Sequence, residues 1–121
     1  KKKKNIICDR FVDSTLAYQV FGKGVEKSLI DKIHKHILSG IKPDITFLLK
    51  INISKALKRL RERKKKNRYD KFSKKFYIRA QNAFLKIARS NKRKYIILDN
   101  SEDSKEIEKI ILKKVLKLLK R

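Results

Sequence analysis

Residues 45–51 read Ile-Thr-Phe-Leu-Leu-Lys-Ile, and their first five residues form a run that is apolar except for Thr46. A short segment that is apolar on both faces is typical of a strand buried inside a parallel sheet. Just before it, Gly40 and Pro43 end a helix that the apolar spacing predicts over residues 25–38. This stretch therefore predicts an amphipathic helix leading into a buried strand, which is one unit of an α/β fold.

The same alternation extends on both sides of residues 45–51. Two more buried strands are predicted at residues 5–8 and 95–98, and three more amphipathic helices are predicted to begin near Ser54, Phe72 and Glu102. The predicted order is strand, helix, strand, helix, helix, strand, helix, with no internal repeat. Such a chain is expected to form an α/β fold with a parallel sheet covered on both faces, here with three strands and four helices.

Ligands of open parallel sheets bind beyond the carboxyl ends of the strands. In this sequence Asp9 and Arg10 follow the first predicted strand, and two further loops follow Ile51 and Leu98. We therefore expect all three places to lie at the ligand-binding edge of the sheet.

The chain is strongly basic, because 36 lysine and arginine residues stand against 12 acidic residues and give a formal net charge of +24. A field of this sign attracts nucleic acids and anionic lipids. However, lysine, isoleucine and asparagine all have A/T-rich codons and are all abundant here, so base composition alone can raise the charge. The charge is weak evidence for function, and a small basic nucleic-acid-binding protein is kept as an alternative.

Several function classes are excluded by the composition. No run approaches the ~18 apolar residues of a membrane-spanning helix, and the few apolar residues after Lys4 are too short for a signal-peptide core. The single cysteine, Cys8, excludes an intrachain disulfide and a cysteine-based zinc site. We therefore expect a cytoplasmic protein of one domain, or part of one, with no membrane partner.

A cluster of polar side chains follows the first predicted strand. An aspartate at the carboxyl end of a strand can hold a hydrated Mg²⁺, and an arginine can make a forked contact with a phosphate. Serine and threonine hydroxyls can bind the edge of a base, and a tyrosine can pack against a sugar. A turn with a buried Asp–Arg ion pair is the alternative interpretation. The candidate residues are Asp9, Arg10, Ser14, Thr15, Tyr18 and Gln19.

Four arginines form a second cluster. Phosphoryl transfer needs such cations, because negative charge spreads over the equatorial oxygens in the transition state. Arg59 and Arg63 are four residues apart and are expected to share one helix face. A solvated run of charge is the alternative interpretation. The candidate residues are Arg59, Arg61, Arg63 and Arg68.

Several segments match one enzyme pattern in order and spacing. Residues 9–19 are similar to the motif Asp-Arg-aromatic-x-x-Ser-Thr-x-Ala-Tyr-Gln, and residues 42–49 to Arg-Pro-Asp-Leu-Thr followed by apolar residues. Residues 56–63 resemble the start of a lid, and residues 76–88 resemble the helix that follows it. This is the pattern of the bacterial thymidylate kinases (dTMP kinases), which the chain resembles over about residues 5–100.

The resemblance implies a three-layer α/β/α fold of the P-loop NTPase type, in which residues 1–121 form the carboxyl-terminal part of one domain. It also implies the reaction ATP + dTMP → ADP + dTDP, which supplies dTTP biosynthesis. The implied ligands are dTMP, ATP as the phosphoryl donor, and Mg²⁺. By the same resemblance the complete enzyme would be a homodimer that does not bind nucleic acid specifically.

The resemblance further implies residue roles. Asp9 would face the Mg²⁺ and phosphate region and hold the ion through water, and Arg10 would bind the phosphate of dTMP. Tyr18 would crowd the 2′ position of the sugar and so favour deoxyribose. The four arginines would belong to a lid, about residues 59–70, that closes over the ATP phosphates. The rest of the implied dTMP site consists of Ser14 and Thr15 at the thymine edge, together with Gln19.

Several features depart from the family, including Lys23 in place of arginine and Asn67 in place of aspartate. The phosphate-binding loop G-x-x-x-x-G-K-[ST] does not occur, because no two of the glycines, Gly22, Gly24 and Gly40, are five positions apart. Lys50 also stands where the family often has aspartate. Without the segment that holds that loop, the isolated chain is expected to fold poorly, to leave sheet edges open and to lack kinase activity.

Overall fold

The computed structural model describes residues 4–64, 71–102 and 105–120. Within these ranges, no helix is both long enough and apolar enough to span a membrane. The elements in chain order are α1 (Val12–Thr15), which continues into a π-helical segment (Leu16–Gly22), α2 (Lys27–Leu38), β1 (Thr46–Lys50), α3 (Ile53–Glu62), α4 (Lys74–Ser90), β2 (Tyr95–Asp99) and α5 (Lys105–Leu119).

The sheet of the described residues has two strands. β1 pairs with β2 in parallel, in a register that runs from Thr46 opposite Tyr95 to Lys50 opposite Asp99. A parallel pair needs a crossover connection, which α3 and α4 provide between the two strands. Because α4 contacts both strands and also the π-helical segment, it links the sheet to the amino-terminal helices.

The strand predicted at residues 5–8 does not form. These residues are exposed and have no regular secondary structure, and the side chains of Ile6 and Ile7 are 87% and 99% exposed. A strand is stable only when its backbone groups pair with a neighbour, and β1 pairs with β2 instead. Asp9 and Arg10 therefore do not follow a sheet strand, contrary to the prediction.

All four predicted helices are present, with two differences in detail. Residues 12–22 form an additional helix, α1 with the π-helical segment, which the sequence analysis left unassigned. The N-cap of α3 is Asn52 rather than Ser54, since the Asn52 side chain accepts hydrogen bonds from the backbone N–H groups of Ser54 and Lys55. Both residue types cap helices well, so the sequence rule did not distinguish between them.

The core of the described residues is small and lies between the π-helical segment and α4. Phe76 is 4% exposed, and its ring lies so close to Gly22 that a Cβ atom there would be 2.6 Å from Phe76 Cε2. Glycine at position 22 therefore permits the close approach of the π-helical segment to α4. The buried apolar residues are Ala17, Ile30, Phe76, Ala80, Ala83 and Ala88.

Candidate functional site

Arg10, in the loop before α1, lies close to Tyr18, on the π-helical segment that follows α1. The guanidinium carbon of Arg10 lies 5.3 Å from the centre of the Tyr18 ring, a cation–π distance. Arg10 adopts a left-handed backbone conformation with φ of 64°, which is uncommon for a residue with a side chain and is often found at functional sites. A guanidinium over an aromatic ring can direct its N–H donors to an anion.

Tyr18 is held in place by aromatic neighbours from α4. Its ring stacks on Phe76 at 5.8 Å between centroids and meets Phe84 edge-on at 5.8 Å. Phe72 stacks on Phe76 at 4.2 Å, and Lys23 Nζ lies 5.4 Å from the centre of the Phe72 ring. Aromatic pairs in these geometries favour a fixed orientation of the rings. The cluster therefore positions Tyr18, and with it the Arg10 guanidinium.

The other predicted residues of this cluster lie on the same stretch of chain. Asp9 is exposed in the loop before α1, whereas Ser14 and Thr15 on α1 and Gln19 on the π-helical segment are partly buried. A π-helical segment widens the helix by one residue per turn and often occurs at functional sites. The six predicted residues thus lie on α1, on the π-helical segment after it or in the loop just before it.

Asp13, which lies within the same motif, has a structural contact that the sequence did not predict. The hydroxyl of Tyr95, the first residue of β2, donates a hydrogen bond to Asp13 Oδ2 from 82 positions away in the chain. Burial of the Tyr95 hydroxyl raises its pKa above the ordinary range, and the Asp13 carboxylate raises this pKa further. The contact ties α1 to the beginning of the second strand.

The Tyr95–Asp13 contact predicts a loss of stability at high pH. The pKa of Tyr95 is higher in the folded chain than in the unfolded chain, so its contribution is complete below about pH 10 and declines as the pH rises further. Tyr95→Phe should reduce the free energy of unfolding by about 1 kcal/mol near neutral pH and by less at about pH 11. Urea unfolding with trimethylamine oxide present, which strengthens the folded state, measures both values. If the parent and Tyr95→Phe differ by the same free energy of unfolding at both pH values, the raised pKa of Tyr95 is contradicted.

A second polar region is an open cleft of about 320 Å³ at the carboxyl ends of β1 and β2. Here the backbone N–H of Asn52 donates to Ser101 Oγ at 3.0 Å and joins the two loops that follow the strands. The sequence predicted both loops as ligand-binding places, but it did not predict which of their side chains line the cleft. Nothing in the sequence indicates a role for Gln81, because single polar residues are common on amphipathic helices. The polar lining residues are Lys50, Asn52, Ser54, Gln81, Asp99 and Ser101.

Lys50 and Asp99 face each other across the parallel strands at the base of this cleft. Lys50 Nζ lies 3.4 Å from Asp99 Oδ2. Hydrogen bonds from the side chain and backbone of Ser101, with a smaller contribution from Lys50, lower the pKa of the Asp99 carboxyl. Residues 5–8 form no strand, so only the loops after β1 and β2 lie at the carboxyl edge of the described sheet, and the expectation that Asp9 and Arg10 follow a third strand there is wrong. Residues 5–8 pair with neither β1 nor β2.

The predicted lid arginines lie at the carboxyl-terminal end of α3. Arg59 and Arg61 are exposed in its last turn, and Arg61 Nε donates to the Leu57 carbonyl at 3.5 Å. Arg63 follows the end of the helix with an extended backbone (φ −72°, ψ 123°), so it does not share a helix face with Arg59 as predicted. Arg68 lies outside the described residues.

Sequence comparison connects these two clusters with one family. The family model for thymidylate kinase matches residues 1–111, which is most of the chain. The chain belongs to the thymidylate kinase family. Its matches give no support to the alternative of a small nucleic-acid-binding protein.

Relatives show how much of a thymidylate kinase this chain represents. The thymidylate kinase of Ehrlichia chaffeensis is 40% identical over 102 residues, which is 84% of this chain and 48% of that protein. That of Wolbachia pipientis is 40% identical over an alignment of 121 positions, which covers 94% of this chain and 57% of that protein. The chain therefore spans about half the length of the curated relatives that it matches.

The crystal structure of the Ehrlichia chaffeensis thymidylate kinase has the same fold as this chain. The two match with a TM-score of 0.63 at 31% identity, over 98% of this chain and 52% of the other. This match and the parallel sheet confirm the predicted α/β fold class of the P-loop NTPase type. The number of strands differs from the prediction only through residues 5–8.

Thymidylate kinases act on phosphate groups, and enzymes that transfer phosphate groups use Mg²⁺. The described residues contain no group of three or more side chains suited to bind a metal directly. Asp9 offers a single exposed carboxylate. Mg²⁺ in phosphate-transferring enzymes keeps several waters and takes few carboxylate ligands, the rest coming from the substrate. Among the described residues, the Asp9 carboxylate fits an ion held through water, and no group of side chains there fits an ion enclosed by protein ligands.

Proposed function

We propose that this chain forms the dTMP-binding and lid part of a nucleoside monophosphate kinase that converts ATP and dTMP to ADP and dTDP. The observation that supports it most strongly is the Arg10 guanidinium over the Tyr18 ring, with Ser14 and Thr15 on the helix that lies between these two residues in the chain. An arginine in this position presents its donors to a phosphate, and the ring beside it offers an apolar surface to a sugar. This combination suits a nucleoside monophosphate.

The side chains of the chain would bind and orient the two substrates. Arg10 would hold the dTMP phosphate, Ser14, Thr15 and Gln19 would hold the base, and Tyr18 would limit the space at the sugar. Mg²⁺, held through water by Asp9, would neutralise phosphate charge when it is bound. The lid arginines, Arg59, Arg61, Arg63 and Arg68, would neutralise the charge that develops on the transferred group.

The proposal includes inactivity of the 121-residue chain by itself, because no phosphate-binding loop occurs within it. We also propose a cytoplasmic location and a homodimeric complete enzyme, in keeping with the family. Lys50 makes the cleft more basic than an aspartate at this position would. The effect of this lysine on ATP binding can be measured in the co-expression experiment described next.

The test is co-expression of this chain with the amino-terminal half of the Ehrlichia chaffeensis thymidylate kinase. We expect phosphoryl transfer from ATP to dTMP by the pair and none by either part alone. Transfer by the 121-residue chain alone would contradict the need for the missing loop. Faster transfer to another monophosphate than to dTMP would contradict the proposed substrate.

A further inference from the structure

α1 carries the middle of the dTMP cluster, and its amino-terminal end is the less constrained one. The helix has four residues, Val12–Thr15, and its carboxyl end continues into the π-helical segment, which packs on α4. None of its residues is buried, and no side chain caps its amino terminus at Phe11. A first helical turn is marginal by itself, because it orders several residues for a single hydrogen bond. The position of this turn therefore depends on contacts from the rest of the chain.

Tyr95 supplies such a contact from a fixed place at the beginning of β2. It lies opposite Thr46 in the register of the two strands, and its hydroxyl donates a hydrogen bond to Asp13 Oδ2 in the first turn of α1. Its backbone N–H donates to the Asn91 carbonyl at 3.1 Å, and the Thr46 N–H donates to the Lys94 carbonyl at 2.8 Å. The donor is thus held by the sheet and by the turn before it, so its bond fixes Asp13 relative to β2.

Asp13 lies between the residues that are proposed to bind the two ends of dTMP. It follows Arg10 by three residues and directly precedes Ser14. The Ser14 backbone N–H donates to the Phe11 carbonyl at 3.0 Å, which closes a turn around Asp13. A shift of Asp13 therefore changes the position of Arg10 relative to Ser14.

We infer that Tyr95 is a positioning residue for dTMP, which acts by holding Asp13 and with it the first turn of α1. The inference rests on the proposed function, which assigns dTMP to this cluster. Without the Tyr95 hydroxyl, the arrangement that binds dTMP is only one of those that the turn adopts. The apparent affinity for dTMP then falls in proportion to the fraction of molecules in that arrangement.

The alternative role for Asp13 is a direct contact with the nucleotide or with Mg²⁺. In the described part of the chain no group of three or more side chains could hold a metal ion, and Asp13 Oδ2 already accepts a bond from Tyr95. The two roles differ in what Asp13→Asn does. An amide oxygen still accepts a hydrogen bond from Tyr95, but an amide has no charge for a cation. Positioning therefore predicts that asparagine substitutes for Asp13, and direct binding predicts that it does not.

The test uses the complex of this chain with the co-expressed amino-terminal half of the Ehrlichia chaffeensis enzyme. Tyr95→Phe removes the hydroxyl and keeps the ring. It should raise the Kd for dTMP, measured by isothermal titration, and the KM for dTMP about 3- to 10-fold, the factor expected for one lost hydrogen bond. The kcat and the KM for ATP should stay within about 2-fold of the parent values, because only dTMP binding is affected. A parent-like Kd for dTMP in Tyr95→Phe would overturn the inference.

Leu112→Gly is the control for a general loss of stability. Leu112 is 59% exposed in the middle of α5, and it belongs neither to the dTMP cluster nor to the polar cleft. Glycine inside a helix lowers stability by about as much as the loss of one hydrogen bond. This variant should bind dTMP as the parent does. If it raises the Kd for dTMP as much as Tyr95→Phe does, Tyr95 has no specific effect on dTMP.

Variants of Asp13 test whether Tyr95 acts through this residue. Asp13→Asn should bind dTMP within about 2-fold of the parent, whereas Asp13→Ala should bind it at least as weakly as Tyr95→Phe. Tyr95→Phe combined with Asp13→Ala should be no weaker than Asp13→Ala alone, because both changes remove the same bond. The inference is wrong if Asp13→Asn binds as weakly as Asp13→Ala, or if the two losses add.

Binding and phosphoryl transfer separate this inference from the proposed function. The expected order of dTMP affinities without phosphoryl transfer would support the role of Tyr95 and contradict the kinase. Transfer to dTMP with an unchanged Kd in Tyr95→Phe would support the kinase and overturn the role of Tyr95. A parent complex that does not bind dTMP would overturn both.

Discussion

Arg10→Ala in the co-expressed enzyme is expected to raise the KM for dTMP and to lower kcat/KM by about 10- to 150-fold. A hydrogen bond to a charged group contributes about 1.5–3 kcal/mol, and Arg10 is the cation that the Tyr18 ring orients. A larger change in KM than in kcat shows that the lost contact binds the substrate in its ground state. Steady-state kinetics with varied dTMP at saturating ATP measure both constants.

Two further variants separate a specific effect from a general effect of charge. Arg10→Lys keeps the charge and loses the fork and the flat face, so its kcat/KM should lie between those of the parent and Arg10→Ala. Arg89→Ala removes one exposed charge from the last turn of α4, away from both clusters, and should leave the kinetics unchanged. If Arg10→Ala has the same kcat and KM for dTMP as the parent, Arg10 does not contact the phosphate.

Removal of the productive lid arginine is expected to lower kcat by about 100-fold or more, the scale of losing one preorganised electrostatic contact. The KM for dTMP should change little, because the lid covers the other substrate. We rank Arg63 and Arg61 ahead of Arg59, since Arg63 follows the end of α3 and has left the helix. Single-turnover phosphoryl transfer by each alanine variant measures this effect.

Lysine variants of the same residues distinguish charge from geometry. A lysine keeps the positive charge but cannot present the planar donors of a guanidinium, so a low rate in Arg63→Lys indicates that the fork is needed. If the alanine variants of Arg59, Arg61, Arg63 and Arg68 all transfer phosphate at the parent rate, the basic run is only a solvated surface.

Much of the secondary structure could be predicted from local patterns. β1 and β2 were predicted within two residues of their ends, because continuous apolar runs bounded by turn residues identify buried parallel strands. α2, α4 and α5 were predicted from apolar side chains at helical spacing. The helix over residues 12–22 was not predicted, because its polar side chains and Gly22 obscure a helical pattern.

The residues of the dTMP cluster could be predicted because they are close together in the chain. Asp9 to Gln19 form one continuous motif, so a linear pattern identifies them without knowledge of the fold. For the polar cleft, the sequence predicted the two loops that border it, but not that they contact each other. Its residues Asn52 and Ser101 are 49 positions apart, and their contact depends on the register of β1 against β2.

The sequence by itself determined the family, the alternation of helices and strands, the dTMP motif and the absence of a phosphate-binding loop from these residues. Each of these depends on neighbours along the chain. Only the tertiary structure decided that residues 5–8 remain unpaired, that Tyr95 binds Asp13 and that β1 has a free edge. Strand pairing and side-chain hydrogen bonds join residues that are distant in sequence, so they depend on which partners the folded chain supplies.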